Sequence, residues 1–255
     1  MKNHDMQRSI WNREYEKYQE YSVENWKLAY IKRIFSALGL NKKDSLLDVG
    51  VSACPYIVIE AAKRGCRATG IDLSEEAIKK SDEFSKSAIP KRQRRLAGFR
   101  VCAAEKLPFK NNTFTKACSI AVLEHIENDE KAIDEIARVV KPKGKIIVSV
   151  PNTYDRTPFL YKIYGRINDK EAGHLRHYNA EELIEKFKKR NFVLEDLIYH
   201  AHNVKILQKF LSFFIPSMNR KDSRLWWALE KIDESQSRCP KSFAFSIVMR
   251  KEAAP

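Results

Sequence analysis

From Ser45 onward, short apolar runs alternate with helical segments, and that alternation leaves few choices of fold. A chain that repeats strand, helix and strand lays its strands in a parallel sheet and covers both faces with helices. The first strand is expected at residues 45–50, Ser-Leu-Leu-Asp-Val-Gly, followed by a helix over 55–63 that opens on Pro55 and stops at Gly65. A second strand over 67–73 leads to Ser74, whose hydroxyl can cap the next helix, with Glu75 and Glu76 at that helix's positive end. Strands three, four and five fit 99–104, 114–122 and 145–150, with a helix over 129–140 and a turn at 141–144, Lys-Pro-Lys-Gly.

The flanks read differently. Trp11, Tyr15, Tyr18, Tyr21, Trp26, Tyr30 and Ile34 recur at mostly three- and four-residue spacings, the pattern of one or two amphipathic helices whose aromatic stripe packs on a core. After Pro151 the alternation loosens. Residues 152–178 read as loop with short helix, 179–189 as helix, 192–199 as strand, 203–214 and 223–232 as amphipathic helices, and 243–250 as a last strand. The expectation is one domain: an N-terminal helical cap (1–44), a core (45–151), and a substrate-side loop, helical insertion and terminal strands (152–255).

Composition narrows the class. With 44% hydrophobic residues the chain can bury a sizeable core, and its longest apolar stretches fall far short of the ~20 residues that span a bilayer. A soluble cytoplasmic protein without an integral membrane segment is expected. The five cysteines are odd in number and form no C-x-x-C pair, so neither a disulfide framework nor a zinc site is indicated. A net charge of +14 suits an anionic partner such as RNA, an acidic lipid surface or a phosphorylated substrate, and equally a lysine-rich solvated surface. Oligomeric state leaves no mark in the sequence.

In an open doubly wound sheet, ligands sit beyond the carboxyl ends of the strands. Asp48 and Gly50 close the first strand, where a residue without Cβ lets a ligand approach the backbone. Asp72 ends the second, at the distance where a carboxylate can accept from both hydroxyls of a ribose. An adenosine-type cofactor is the expectation. A dehydrogenase is disfavoured, because residues 50–55 lack G-x-G-x-x-G.

Six blocks then align in order: Leu46-Leu-Asp-Val-Gly50, Gly70-Ile-Asp-Leu-Ser74, Ala104-Glu-Lys-Leu-Pro-Phe109, Val122-Leu-Glu-His125, Val139-Val-Lys-Pro-Lys-Gly144 and Gly173-His-Leu-Arg-His-Tyr178. With them the chain resembles the class I S-adenosylmethionine (SAM) dependent methyltransferases, in the broad type 11 group that includes ubiquinone and menaquinone C-methyltransferases. The resemblance implies a Rossmann-like α/β sheet of seven strands with the last strand antiparallel, N-terminal helices and a C-terminal helical insertion. It implies methyl transfer from SAM to an oxygen, nitrogen or carbon of a small or lipophilic substrate. It also implies that Asp48, Gly50 and Ser52 line the methionine side, that Asp72 binds the ribose, and that Leu73, Ala104 and Glu105 meet the adenine. Ile120, Leu123 and His125 would lie near the methionine and the reacting methyl. Because the sulfonium already makes that methyl electrophilic, catalysis is expected to be mainly in-line positioning with desolvation.

The chain departs from the family pattern in ways that bear on the site. The usual D-x-G-x-G-x-G becomes Asp48-Val-Gly-Val-Ser-Ala-Cys54, so Ser52 and Cys54 put Cβ atoms where they can crowd the cofactor. An acid two residues before Glu105 is replaced by Ala103, and the usual F-D is Phe114-Thr115. His125, His174 and His177, with His200 and His202, are candidates to take a proton from the acceptor. His174 and His177 serve equally to order a loop over the pocket. No metal site is expected, since the sequence around them lacks Cys or carboxylate partners. The apolar and basic mix over 200–233 fits a packed helix pair, a lid over a lipophilic substrate, or a membrane-surface helix. Two other functions stay open. Lys91-Arg-Gln-Arg-Arg95 suits RNA methylation, although 119–122 lacks an N/D-P-P-Y/F run, and the glycine-loop departures suit a non-catalytic binding module.

Overall fold

The computed structural model describes residues 2–18, 25–157, 162, 169, 173–215 and 223–253. Tyr21, Arg220, Lys221 and the side chains of Trp26, Lys209, Phe210 and Phe213, which carry parts of the two expected amphipathic stripes, lie outside the described residues. Seven strands form one sheet: β1 (Ser45–Val49), β2 (Arg67–Asp72), β3 (Ala97–Val101), β4 (Phe114–Ile120), β5 (Val140–Pro151), β6 (Phe192–His200) and β7 (Ala244–Lys251). Their order is β3-β2-β1-β4-β5-β7-β6. The first five pair in parallel, and β7 runs antiparallel between β5 and β6. The strand order reverses at β1 and β4, so their carboxyl ends open the crevice where such sheets bind ligands.

The helices are α1 (Lys2–Glu16), α2 (Asn25–Leu38), α3 (Tyr56–Lys63), α4 (Glu75–Ala88), α5 (Asp129–Val139), α6 (Ala180–Lys188), α7 (Asn203–Phe214) and α8 (Arg224–Ser235). Their starts follow local chemistry. Ser74 Oγ accepts from Ala77 N at 3.0 Å, and Asn128 and Asn179 cap α5 and α6 by accepting from Lys131 N and Glu182 N. Side chains alternate across the strands, so Leu47 and Val49 face α5 and α6, where they meet Ile133, Ile136, Leu183 and Phe187. Leu46 faces the other way, against Ile34, Phe35, Leu38 and Val58 of α2 and α3. Each fully buried Leu or Ile in these layers contributes ~1.5–3 kcal/mol. The helical pair α7 and α8 is tied to α2 by Glu230, a buried carboxylate held by Arg33 and Lys205.

The strands depart most from the sequence expectation at β3 and β5, and β4 ends at Ile120 instead of running on to 122. β3 starts at Ala97 because Lys91–Leu96 winds as a 3-10 turn directly before it, and it ends at Val101, where Cys102 N donates to Asp72 O. β5 starts at Val140 because that residue is fully buried and pairs with Phe114. The expected turn at 141–144 is therefore an irregularity inside the strand, with Lys143 at φ +63°. No helix among the described residues is long and apolar enough to cross a membrane.

Candidate active site

Where β1 ends, Gly50 turns the chain at φ +75°, and a Cβ there would stand 2.3 Å from Val122 Cγ2 beyond β4. Only glycine lets the two strand ends close to this distance. Gly50 N and Val51 N both donate to Ile71 O, which binds the loop to β2. Ser52 and Ala121 also hold left-handed backbones, at φ +59° and +54°. Non-glycine residues reach that region at a cost of ~1–2 kcal/mol, so strain collects along the carboxyl edge of the sheet.

Asp72 is the polar centre of this edge. Its Oδ2 accepts from Ser52 N at 3.0 Å and its Oδ1 from Ser74 N at 2.9 Å, which leaves a lone pair on each oxygen. Burial raises its pKa, and the Ser74 and Ser52 amides work against that rise. Around it lies a crevice of about 610 Å³, a volume that includes the solvent at its open side. Gly50, Asp72, Leu73, Ala104, Glu105 and His125, all expected site residues, line it together.

The opposite wall comes from α1, none of whose individual residues the sequence singled out as a site residue. His4, Gln7, Trp11 and Tyr15 face the crevice. His4 Nε2 meets Glu105 Oε1 at 2.9 Å, Gln7 donates to His125 O, and the Trp11 ring stands edge-on to His125 with centroids 5.0 Å apart. Ser74 Oγ donates to Asn12 Oδ1 at 2.5 Å, pinning α1 to the start of α4. The available signal was the three- and four-residue aromatic spacing, which reads equally as core packing.

Beyond His125 lies a histidine cluster. Burial pushes the His125 pKa down to about 4, aided by the neighbouring His174 and opposed by the Gly173 carbonyl. His174 Nδ1 is 2.6 Å from Asp169 Oδ1, and His177 Nε2 is 2.8 Å from Asp169 Oδ2. The expectation that no carboxylate partner lies near these histidines is thus corrected: Asp169, five residues before His174, meets both. Neither His174 nor His177 lines the crevice itself.

Four expected contacts stand behind the walls. Asp48 lies under the loop, where burial raises its pKa to about 7 while the Cys118 thiol, donating to Oδ1 at 3.2 Å, opposes the rise. Ser52 contributes its amide to Asp72 rather than a side chain to the crevice. Ile120 packs against the α2 and α3 layer, and Leu123 is fully buried in the other core. Cys54 is buried and also off the crevice, so neither loop departure plugs it. Thr115 sits at the far end of β4, donating to Asp44, and has no bearing on the site. His200 contacts Ser149 and Ser246 on the sheet, and His202 pairs with buried Asp233, so both are structural.

Residues 47–148 match the family model described as "Methyltransferase domain". That stretch of the chain is similar to a class I SAM-dependent methyltransferase domain. The match is to the domain at large rather than to the ubiquinone and menaquinone subgroup. An uncharacterized protein of Methanocaldococcus jannaschii is 28% identical over 186 residues, covering 72% of this chain and 81% of that protein. The sterol 4-C-methyltransferase strm-1 of Caenorhabditis elegans is 32% identical over 127 residues. That alignment takes in 48% of this chain but 36% of the sterol enzyme, so the chain spans little more than a third of that relative. A crystal structure of geranyl diphosphate C-methyltransferase from Streptomyces coelicolor A3(2) shares the fold, with a TM-score of 0.67 and 15% identity over 98% of each chain.

Proposed function

We propose that this methyltransferase binds SAM across the carboxyl ends of β1 and β2 and transfers its methyl group to a small, lipophilic acceptor enclosed beneath α1. The observation that carries the reading is the convergence of Gly50, Asp72, Leu73 and Ala104 on one crevice roofed by aromatic residues. SAM, when bound, supplies an electrophilic methyl on a sulfonium.

The chain's own residues supply the rest. The free lone pairs of Asp72 accept from the two ribose hydroxyls, while its amide partners Ser52 and Ser74 hold the carboxylate in place. Leu73 and Ala104 offer apolar surface to the adenine. Asp72 and Glu105 place carboxyl groups on the crevice, complementary to a cationic cofactor. Trp11 and Tyr15 exclude water from the reacting centre and offer an apolar surface to the acceptor. His125, with His174 and His177 behind it, marks the acceptor end and meets the acceptor's polar group. A lipophilic acceptor is consistent with relatives whose names specify a sterol and geranyl diphosphate.

Incubation with SAM labelled in its methyl group and a total lipid and small-molecule extract tests the reading. Label should move into an organic-soluble product, and far less should move with Asp72→Ala. A protein whose melting temperature ignores SAM and S-adenosylhomocysteine (SAH), and which transfers no label, would be the non-catalytic module instead.

A further inference from the structure

Glu124 is a buried carboxylate with an unused oxygen. It is 1% exposed, and its Oε2 has no hydrogen-bond partner among the described residues. Burying a carboxylate is costly unless a partner compensates it, so such a group points to something that binds there. Its neighbours are His125 and His174. One ligand atom from each of the three lies within 4.8 Å of the other two, and the two imidazole centroids are 4.8 Å apart.

The hydrogen bonds set the tautomers. His174 Nδ1 faces Asp169 Oδ1 at 2.6 Å and His125 Nδ1 faces Gly173 O at 3.4 Å. Carboxylate and carbonyl oxygens only accept, so both Nδ1 atoms carry protons and both Nε2 atoms keep lone pairs. His177 differs, because oxygen acceptors face both its nitrogens, Asn152 O at 2.8 Å and Asp169 Oδ2 at 2.8 Å. Neither nitrogen is left facing an open position. A carboxylate behind an imidazole, as Asp169 stands behind His174, is how proteins fix the ring orientation and basicity of a ligating histidine.

We propose that Glu124, His125 and His174 form a site for one divalent transition-metal ion, with Asp169 as the positioning residue for His174. Two imidazoles and one carboxylate suit zinc or its first-row neighbours, whereas magnesium and calcium favour all-oxygen sets. Three protein ligands leave coordination positions open. Since His125 also lines the crevice, those positions are available to an oxygen of the acceptor. The role toward the acceptor rests on the methyltransferase reading; the ion site does not.

Titration of the metal-free full chain with Zn2+, repeated with Co2+ and visible absorption, tests the site. One equivalent should bind, with a nitrogen and oxygen cobalt spectrum free of thiolate charge transfer. Glu124→Gln, which keeps shape and removes charge, should weaken binding at least tenfold, and Asp169→Asn by roughly 10- to 100-fold. SAH should raise the melting temperature of Glu124→Gln as it does the wild type, which shows that fold and crevice are intact. Metal binding with these losses but no SAH response would uphold the ion site and sink the methyltransferase reading. Absence of zinc binding, unchanged affinity in Glu124→Gln, or a thiolate spectrum overturns the proposal.

Discussion

The two walls of the crevice are made in different ways. The sheet wall is main chain: Gly50, Asp72 and Ala104 arrive there because strands end, and local amides fix the one key carboxylate. The wall formed by α1 and the histidine cluster is side chain, joined across the sequence by His4 to Glu105, Gln7 to His125 and Arg176 to the carbonyls of Ile126 and Glu127. A wall made from strand ends is rigid and tolerates little. A wall made from side-chain contacts of distant segments can lose one contact and remain folded.

The sharpest test of that difference is Gly50→Ala. The left-handed backbone and the 2.3 Å approach to Val122 together should lower stability by about 2–4 kcal/mol, read from urea unfolding. Asp72→Ala comes next. Loss of a charged hydrogen-bond acceptor of ~1.5–3 kcal/mol should weaken SAH binding about 10- to 100-fold by calorimetry, with the fold retained.

On the opposite wall, the loop bearing His174 and His177 is anchored below by Asp129, which meets Tyr178 Oη at 2.7 Å, Lys186 Nζ at 2.8 Å and Arg176 at 3.2 Å. Burial alone would raise the Asp129 pKa, but the Lys186 and Tyr178 hydrogen bonds and the Arg176 charge outweigh it and hold the pKa low. A depressed carboxylate contributes stability that is present above its unfolded value of about 3.9 and is lost as pH falls through the folded value. Asp129→Asn should therefore cost ~1–2 kcal/mol near neutrality and flatten the acid limb of stability against pH. The smallest effect belongs to Trp11→Ala. It should change stability by under about 1 kcal/mol and SAH affinity by a few-fold, while raising KM for the acceptor. If Trp11→Ala unfolds the chain, or Gly50→Ala leaves it unaffected, the contrast between the walls fails.

The same contrast explains what the sequence made legible. β1, β2 and the cap at Ser74 follow from short-range patterns, and the carboxyl-edge rule brings Gly50 and Asp72 together. The motif blocks place Ala104, Glu105 and His125 on the crevice as well. Leu123 shows the limit of a block, since Val122 and His125 line the crevice while Leu123 between them points into the core and Glu124 is buried. Glu124 was invisible as a site residue because nothing local marks its burial. Which residues of α1 face the crevice was hidden for a related reason: a periodic aromatic face reveals that a helix packs, but not what it packs against. The early start of β5 also depends on a partner, Phe114, 26 positions away.

A crystal structure of the full chain with SAH tests the central claim most directly. The account predicts both ribose hydroxyls on the Asp72 carboxylate, the adenine against Leu73 and Ala104, and the sulfur on the Gly50 side facing His125. Density for SAH elsewhere, or a ribose that makes no contact with Asp72, would contradict it.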